Sequence, residues 1–489
     1  MSPEVFWRWC ITLCGVWFIG VYPGLLWFCP AALPATMVVN KAIASDFWQY
    51  YAGAVVVRHG IWQALYPIPK KEVYDQPSTF RPIYSTFLFN PADLNGNRAY
   101  YPIVSEPKSS DCAPELLTYF PEEATHFRFI SPPPTALLLA PLALGSYDFD
   151  ILRLWPTLGL WSYFAMALFS ARIHRLLRGS RSYTEGLIAL GVMAFFSYRC
   201  AIGLLDGNVT PMLSALIAAA VYSLMCGRQF PFCCALTLLV LFKMLGVMWL
   251  PLLLLNRAYW RSFVYLVILA VVLNGATLWL GGFAVYEKFF VLYPMILIPV
   301  GKGLIATIRN GFGFYPHLLY ASLNVLVLGL IYYGYVMKRS APVSKAKQPE
   351  REAWLILVAA MAGVISLFCL LNLSVWISYS GNYLFFPFLG WILLEGYLAR
   401  GFWRYLILGG CVVSYVVMGS LWVVTGTLAH LFPQHDAVGA YFLFGFRPFC
   451  TVLLPVFVLI IALRRLLLRP TTPGGPMDSK MEKSGAAEG

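Results

Sequence analysis

A carboxylate, an isolated lysine and a few short polar clusters stand out from a chain that is otherwise apolar. Asp46 lies in the run Ser45-Asp46-Phe47-Trp48-Gln49-Tyr50-Tyr51-Ala52, just beyond the first greasy segment. A carboxylate that leads an aromatic helix outside such a segment is a candidate general base at a membrane surface. The same carboxylate, or Ser45, equally suits the N-cap of that helix, where negative charge complements the macrodipole. The residues alone leave both readings open. Lys243 interrupts the apolar stretch 231–255. A lysine so placed either snorkels to an interface or meets an anion, and a lipid phosphate is the anion at hand.

The remaining polar clusters fall at predicted outer ends of helices. Asp206-Gly207-Asn208-Val209-Thr210 has a glycine to turn the backbone and residues that cap a following helix. It also fits a loop that binds sugar or phosphate. Lys302 and Arg309-Asn310-Gly311 lie in a second outer loop, either as solvated charges or with Arg309 in bidentate contact with a phosphate. Tyr379 and Asn382, after Trp376, form a third cluster. Aromatics at such a place usually belong to the interfacial belt, and stacking on a sugar is the alternative.

The elements that must position these residues follow from composition. The chain of 489 residues is 60% hydrophobic and 12% charged, where soluble domains carry about 25% charged residues. Its mean hydropathy is +0.70. It must use lipid as solvent, and apolar runs of about 20 residues recur along it, so it is an all-α polytopic membrane protein. About 12 spanning or half-spanning helices are expected, over 6–28, 147–172, 184–203, 209–226, 231–242, 244–255, 262–282, 314–337, 353–375, 383–399, 404–426 and 441–464. The net charge of +13 gathers in alternate short connections, around Arg172–Arg181, Arg228, Arg257–Arg261, Lys338–Arg351, Arg400–Arg404 and Arg464–Arg469. That is the positive-inside pattern of cytoplasmic loops, not the footprint of a nucleic-acid binder. Both termini are then cytoplasmic. The stretch 132–145 is too short to span and is expected as a juxtamembrane or re-entrant piece on the outer side.

One large outer loop covers 30–131 and a second covers 283–313. The first holds a helix from Asp46 to about Gly60, with Phe47, Tyr50, Tyr51, Ala54 and Val57 at helical spacing. This reads as an amphipathic helix lying in the interface, ended by the glycine after His59. A single domain over 1–469 is expected, followed by a cytoplasmic tail, 470–489, of disordered composition. All the cysteines but Cys112 fall in or beside apolar segments, so no disulfide framework or zinc site is indicated. The outer loops show no paired aspartates or His-rich cluster, so no metal and no other cofactor is called for.

The ordered set of motifs resembles glycosyltransferase family 87. The 45–52 run, with Arg58-His59-Gly60 and Ala64-Leu65-Tyr66, looks like that family's first-loop signature. Phe129-Ile130-Ser131-Pro132-Pro133 leading to Ala140-Pro141-Leu142 looks like its aromatic–proline stretch. Gly207-Asn208-Val209-Thr210 stands where the family tends to have Gly-Gln-x-Asn. Phe242-Lys243, followed by Leu250-Pro251 and Arg257, resembles its lysine hairpin. The resemblance covers roughly residues 1–400. The chain departs from the pattern at Asn208, in lacking a proline after Lys243, and near Trp376, where Ser378, Tyr379 and Asn382 stand in place of a histidine.

The resemblance implies a GT-C fold and transfer of a mannose- or arabinose-like sugar from a polyprenyl-phosphate donor. The acceptor would be a hydroxyl of a lipid-linked or cell-envelope glycan. Asp46 would be the general base, and Lys243, Arg309 and Lys302 would hold the donor phosphate. Tyr50, Tyr51, His59, Asp206, Asn208, Asn310, Tyr379 and Asn382 would contact sugar or acceptor. The expected location is the inner (plasma) membrane, with the site facing outward. The alternative class is a lipid or lipid-linked-sugar transporter, which lone buried charges would suit. The missing inverted repeat and the helix carrying Asp46 favour the enzyme.

Overall fold

The computed structural model describes residues 3–29, 45–62, 65–66, 129, 131–145, 150–178, 207, 209–242, 259–297, 401–403 and 405–406. Of the candidate residues, Asp206, Asn208, Lys243, Lys302, Arg309, Asn310, Tyr379 and Asn382 lie outside them, as does the tail 470–489. Among the described residues the regular structure is helical throughout.

The first helical stretch runs from α1 (Pro3–Gly15) through a π-helical turn (Val16–Val21) into α2 (Tyr22–Phe28). Its segment Ile11–Phe28 is apolar and long enough to cross a bilayer. It lies along α5 (Trp155–Arg178). Two indoles fasten that contact: Trp27 Nε1–H donates to Thr157 Oγ1 at 2.9 Å, and Trp161 Nε1–H to the Ile19 carbonyl at 3.2 Å. In an apolar surround such N–H groups must find an acceptor.

α5 packs against α6 (Thr210–Met225), which turns over Cys226–Arg228 directly into α7 (Gln229–Phe242), and α7 packs on α8 (Trp260–Gly281). α8 is the second described helix able to span. Its Val267, Ile268, Val271 and Val272 are exposed, as on a face that meets lipid. α9 (Phe283–Leu297) follows after Gly282. The first half of the expected second outer loop, 283–313, is therefore helical. The run from Phe283 to Tyr293 holds no glycine or proline, and nothing in it stops a helix.

The stretch 132–145 forms α4 (Pro133–Leu139) and a 3₁₀ turn (Ala140–Leu144). Twelve residues of helix, too few to span, agree with the expected short piece.

α3 (Ser45–His59) is where expectation and structure part. Its ends agree: Ser45 opens it, and the Gly60 and Ile61 N–H groups return to the Val57 and Val56 carbonyls at 3.2 and 3.1 Å and close it. Its environment does not. Phe47, Gln49, Tyr50, Tyr51, Ala52, Ala54, Val55 and Val56 are all buried, and they cover the whole circumference of the helix. α3 is therefore an internal helix, held between α4, the 3₁₀ turn and the start of α5, and not an amphipathic helix lying in the interface.

Its small residues permit the close approach. A Cβ on Gly53 would lie 2.6 Å from Phe129 Cε2 and 3.4 Å from the Ala136 Cβ. Phe129 is 0% exposed, so its ring has nowhere to move. Gly53→Ala is expected to destabilise the protein by about 1–3 kcal/mol through overpacking, despite alanine's advantage of about 1 kcal/mol in helix propensity. Thermal unfolding of the purified protein checks this, and an unchanged midpoint would show the contact to be slack.

Candidate functional site

Trp155 is the residue on which the candidate segments converge. It opens α5 and is 3% exposed. Phe47 meets its ring at 5.1 Å between centroids, and Tyr50 stacks on it at 5.4 Å and 26°. On its polar edge, Nε1–H donates to the Gly207 carbonyl at 2.8 Å. Gly207 has φ of 62°, a left-handed conformation that glycine takes without strain, as its place in a turn predicts. Tyr50 in turn meets Phe242, the last residue of α7, edge-on at 6.1 Å.

The end of α7 has its own fastening. Helix C-termini leave carbonyls without intrahelical partners. Here the Thr135 hydroxyl donates to the Leu241 carbonyl at 2.6 Å and the Ser131 hydroxyl to the Phe242 carbonyl at 3.3 Å. Tyr66 Oη–H donates to the Ser131 carbonyl at 2.6 Å, and its ring packs on Phe129 and Phe289. Burial, and secondarily Tyr286, hold the Tyr66 phenol well above its ordinary value, so it stays a neutral donor. The Ser-Pro-Pro-Pro-Thr segment thus ties the 45–66 region to the end of α7.

The consequence for the candidates is direct. Phe47, Gly207 and Phe242 are the chain neighbours of Asp46, Asn208 and Lys243, and all three gather round Trp155 and Tyr50. Asp46 itself stands in the first turn of α3. Tyr50 is about one turn further along the helix. Tyr51 faces elsewhere and donates to the Gly145 carbonyl at 3.4 Å. His59 is exposed at the far end of α3. Thirteen residues at 1.5 Å each put it about 20 Å from Asp46 along the axis, so the structure does not bring His59 to the carboxylate. Its neighbour Arg58 donates through Nη1 to the Ala143 carbonyl.

Sequence reasoning passed over three residues. Trp155 carried one signal, an indole N–H within an apolar run that needs a partner. Asp150 opens the π-helical turn before α5 (Asp150–Leu154), is 1% exposed, and has one carboxylate oxygen without a hydrogen-bond partner among the described residues. A carboxylate at the edge of an apolar span was the signal there. Gln49 is buried with its amide oxygen likewise unpaired among the described residues. No local pattern distinguishes it from a solvated glutamine.

The glycosyltransferase family 87 profile matches residues 129–371. That stretch belongs to glycosyltransferase family 87. No curated protein and no solved structure shows significant similarity to the chain. The match over that stretch indicates a membrane glycosyltransferase, a class of enzyme whose substrates are a sugar donor and an acceptor. The family 87 region begins at Phe129 and takes in the Ser131–Thr135 clasp, Trp155, Gly207 and Phe242, together with Lys243, Lys302 and Arg309. Asp46, Tyr50, Tyr51 and His59 precede it, and Tyr379 and Asn382 follow it. α3 thus lies outside the matched stretch yet packs on its first elements.

Proposed function

We propose that this glycosyltransferase moves a sugar from a polyprenyl-phosphate donor to a hydroxyl of a lipid-linked or cell-envelope glycan, with inversion, and that Asp46 is its general base. The observation that carries the reading is the convergence on the stacked pair Trp155 and Tyr50 of the residues next to Asp46, Asn208 and Lys243 in the chain. In this reading the base is on one wall of a site and the phosphate-binding lysine on another.

The chemistry follows from those roles. The acceptor hydroxyl attacks the anomeric carbon while Asp46 takes its proton. The new C–O bond forms as the bond from that carbon to the phosphate oxygen breaks on the opposite face, which inverts the configuration. The pair of electrons leaves on the phosphate, which departs as polyprenyl phosphate with one more negative charge. It needs charge stabilisation and no acid, and Lys243, with Arg309 and Lys302, supplies it. Tyr50, Asp206, Asn208, Asn310, Tyr379 and Asn382 are the proposed sugar and acceptor contacts. The site faces outward across the inner membrane, with both termini cytoplasmic, in accord with the charge pattern of the loops.

The test is transfer by purified protein from labelled polyprenyl-phosphate sugars to candidate acceptors. Failure with every such donor, alongside activity with a nucleotide sugar, removes the proposal. Lys243→Ala is expected to weaken binding of a fluorescent short-chain polyprenyl phosphate about 10- to 100-fold, the range of a charge-assisted contact. Unchanged affinity would take Lys243 out of the phosphate site. Lipid transport without sugar transfer in proteoliposomes would favour the transporter class.

A further inference from the structure

Gln49 follows Asp46 by three residues on α3, about one helical turn further along the chain. Gln49 is 7% exposed, and its Oε1 has no hydrogen-bond partner among the described residues. Its neighbours on the helix are differently placed. Tyr51 and Arg58 are tied to backbone carbonyls of the 140–145 turn, and the Tyr50 ring is held between Trp155 and Phe242. A helix that needed only bulk at position 49 would be better served by leucine, because a buried amide without a donor is a net cost. No described residue supplies that donor.

We propose that Gln49 is a specificity-determining residue whose amide oxygen accepts a hydrogen bond from a sugar hydroxyl next to the reacting centre. The inference rests on the glycosyl-transfer reading above and deepens it. The division of labour is chemical. A carboxylate at position 46 takes a proton, whereas a neutral amide one turn away accepts a hydrogen bond and leaves the proton in place. A site of this kind discriminates strongly against a substrate that lacks the hydroxyl, since the amide is then left unpaired.

The experiment uses the full chain in detergent with short-chain polyprenyl phosphates carrying mannose, glucose or arabinofuranose, the sugar-free polyprenyl phosphate, and octyl mannoside as acceptor. Gln49→Leu and Gln49→Glu are compared with the unaltered protein. Gln49→Leu is expected to bind the sugar-free lipid as before, to unfold at the same or a higher temperature, and to raise KM for one sugar substrate about tenfold, the worth of one hydrogen bond. Removing a single hydroxyl from that substrate costs the unaltered protein about tenfold and costs Gln49→Leu nothing. Gln49→Glu, which keeps an acceptor oxygen, retains the discrimination. Monodeoxy donors and monodeoxy acceptors tell which sugar is read. Three results overturn the proposal: Gln49→Leu keeps the unaltered protein's discrimination, loses sugar-free lipid binding in equal measure, or fails to fold. If the unaltered protein neither binds nor uses any of the lipid-linked sugars, the functional reading fails first and this inference with it.

Discussion

Asp46→Asn is expected to lower sugar transfer about 1000-fold while leaving donor binding nearly unchanged, as removal of a general base typically costs 100- to 10,000-fold. The substitution is chosen because it separates the two roles open to this residue. Asparagine caps a helix about as well as aspartate and preserves its shape, so a residue needed only to start α3 tolerates the change. What asparagine cannot do is accept the acceptor's proton. Loss of the negative charge beside the helix N-terminus costs α3 only about 0.3–1 kcal/mol, too little to unfold a helix buried on all sides. Single-turnover transfer, together with equilibrium binding of the donor, reads the split. Full activity in Asp46→Asn returns the residue to a capping role and moves the base elsewhere. The buried carboxylate of Asp150 is then the first place to look.

Trp155 carries the second large effect. Trp155→Ala is expected to destabilise the protein by about 3–5 kcal/mol, the usual cost of removing a buried large aromatic side chain. With Phe47 and Tyr50 both resting on its ring, activity should vanish with the packing. Trp155→Phe is the informative partner. It keeps most of the ring and deletes the N–H that holds the Gly207 carbonyl at 2.8 Å. That leaves a buried acceptor unpaired at a cost of about 1–3 kcal/mol and frees the segment that contains Asn208. Trp155→Phe should therefore fold, unfold several degrees lower, and transfer sugar poorly with a raised KM. A Trp155→Ala protein with unchanged midpoint and activity would show that the segments do not depend on their shared neighbour.

Much of this could be read from local pattern. The alternation of apolar runs and basic connections indicated a polytopic helical chain. α3 starts and stops where Ser45 and Gly60 predict, because capping depends on residues within one turn. The short helix after Pro132 and the turn at Gly207 were legible for the same reason. α9 was not, because an apolar helix of moderate length and an apolar loop differ only in what they pack against. Nor was the burial of α3. Helical spacing of Phe47, Tyr50, Tyr51, Ala54 and Val57 is the same whether the opposite face meets water, lipid or protein.

What the sequence by itself determined is the class of protein, the order of its chemistry-bearing residues and the local ends of its helices, since hydropathy, charge and capping act over a few residues. What only the tertiary structure decided is which of those residues share a site. The indole of Trp155 reaches Gly207, 52 residues away, and the hydroxyl of Thr135 reaches Leu241, 106 residues away. Those partnerships draw the neighbours of Asp46, Asn208 and Lys243 together and leave His59 some 20 Å along the helix. Each arises because a buried donor must find an acceptor wherever the packing brings one, and no spacing along the chain records where that is.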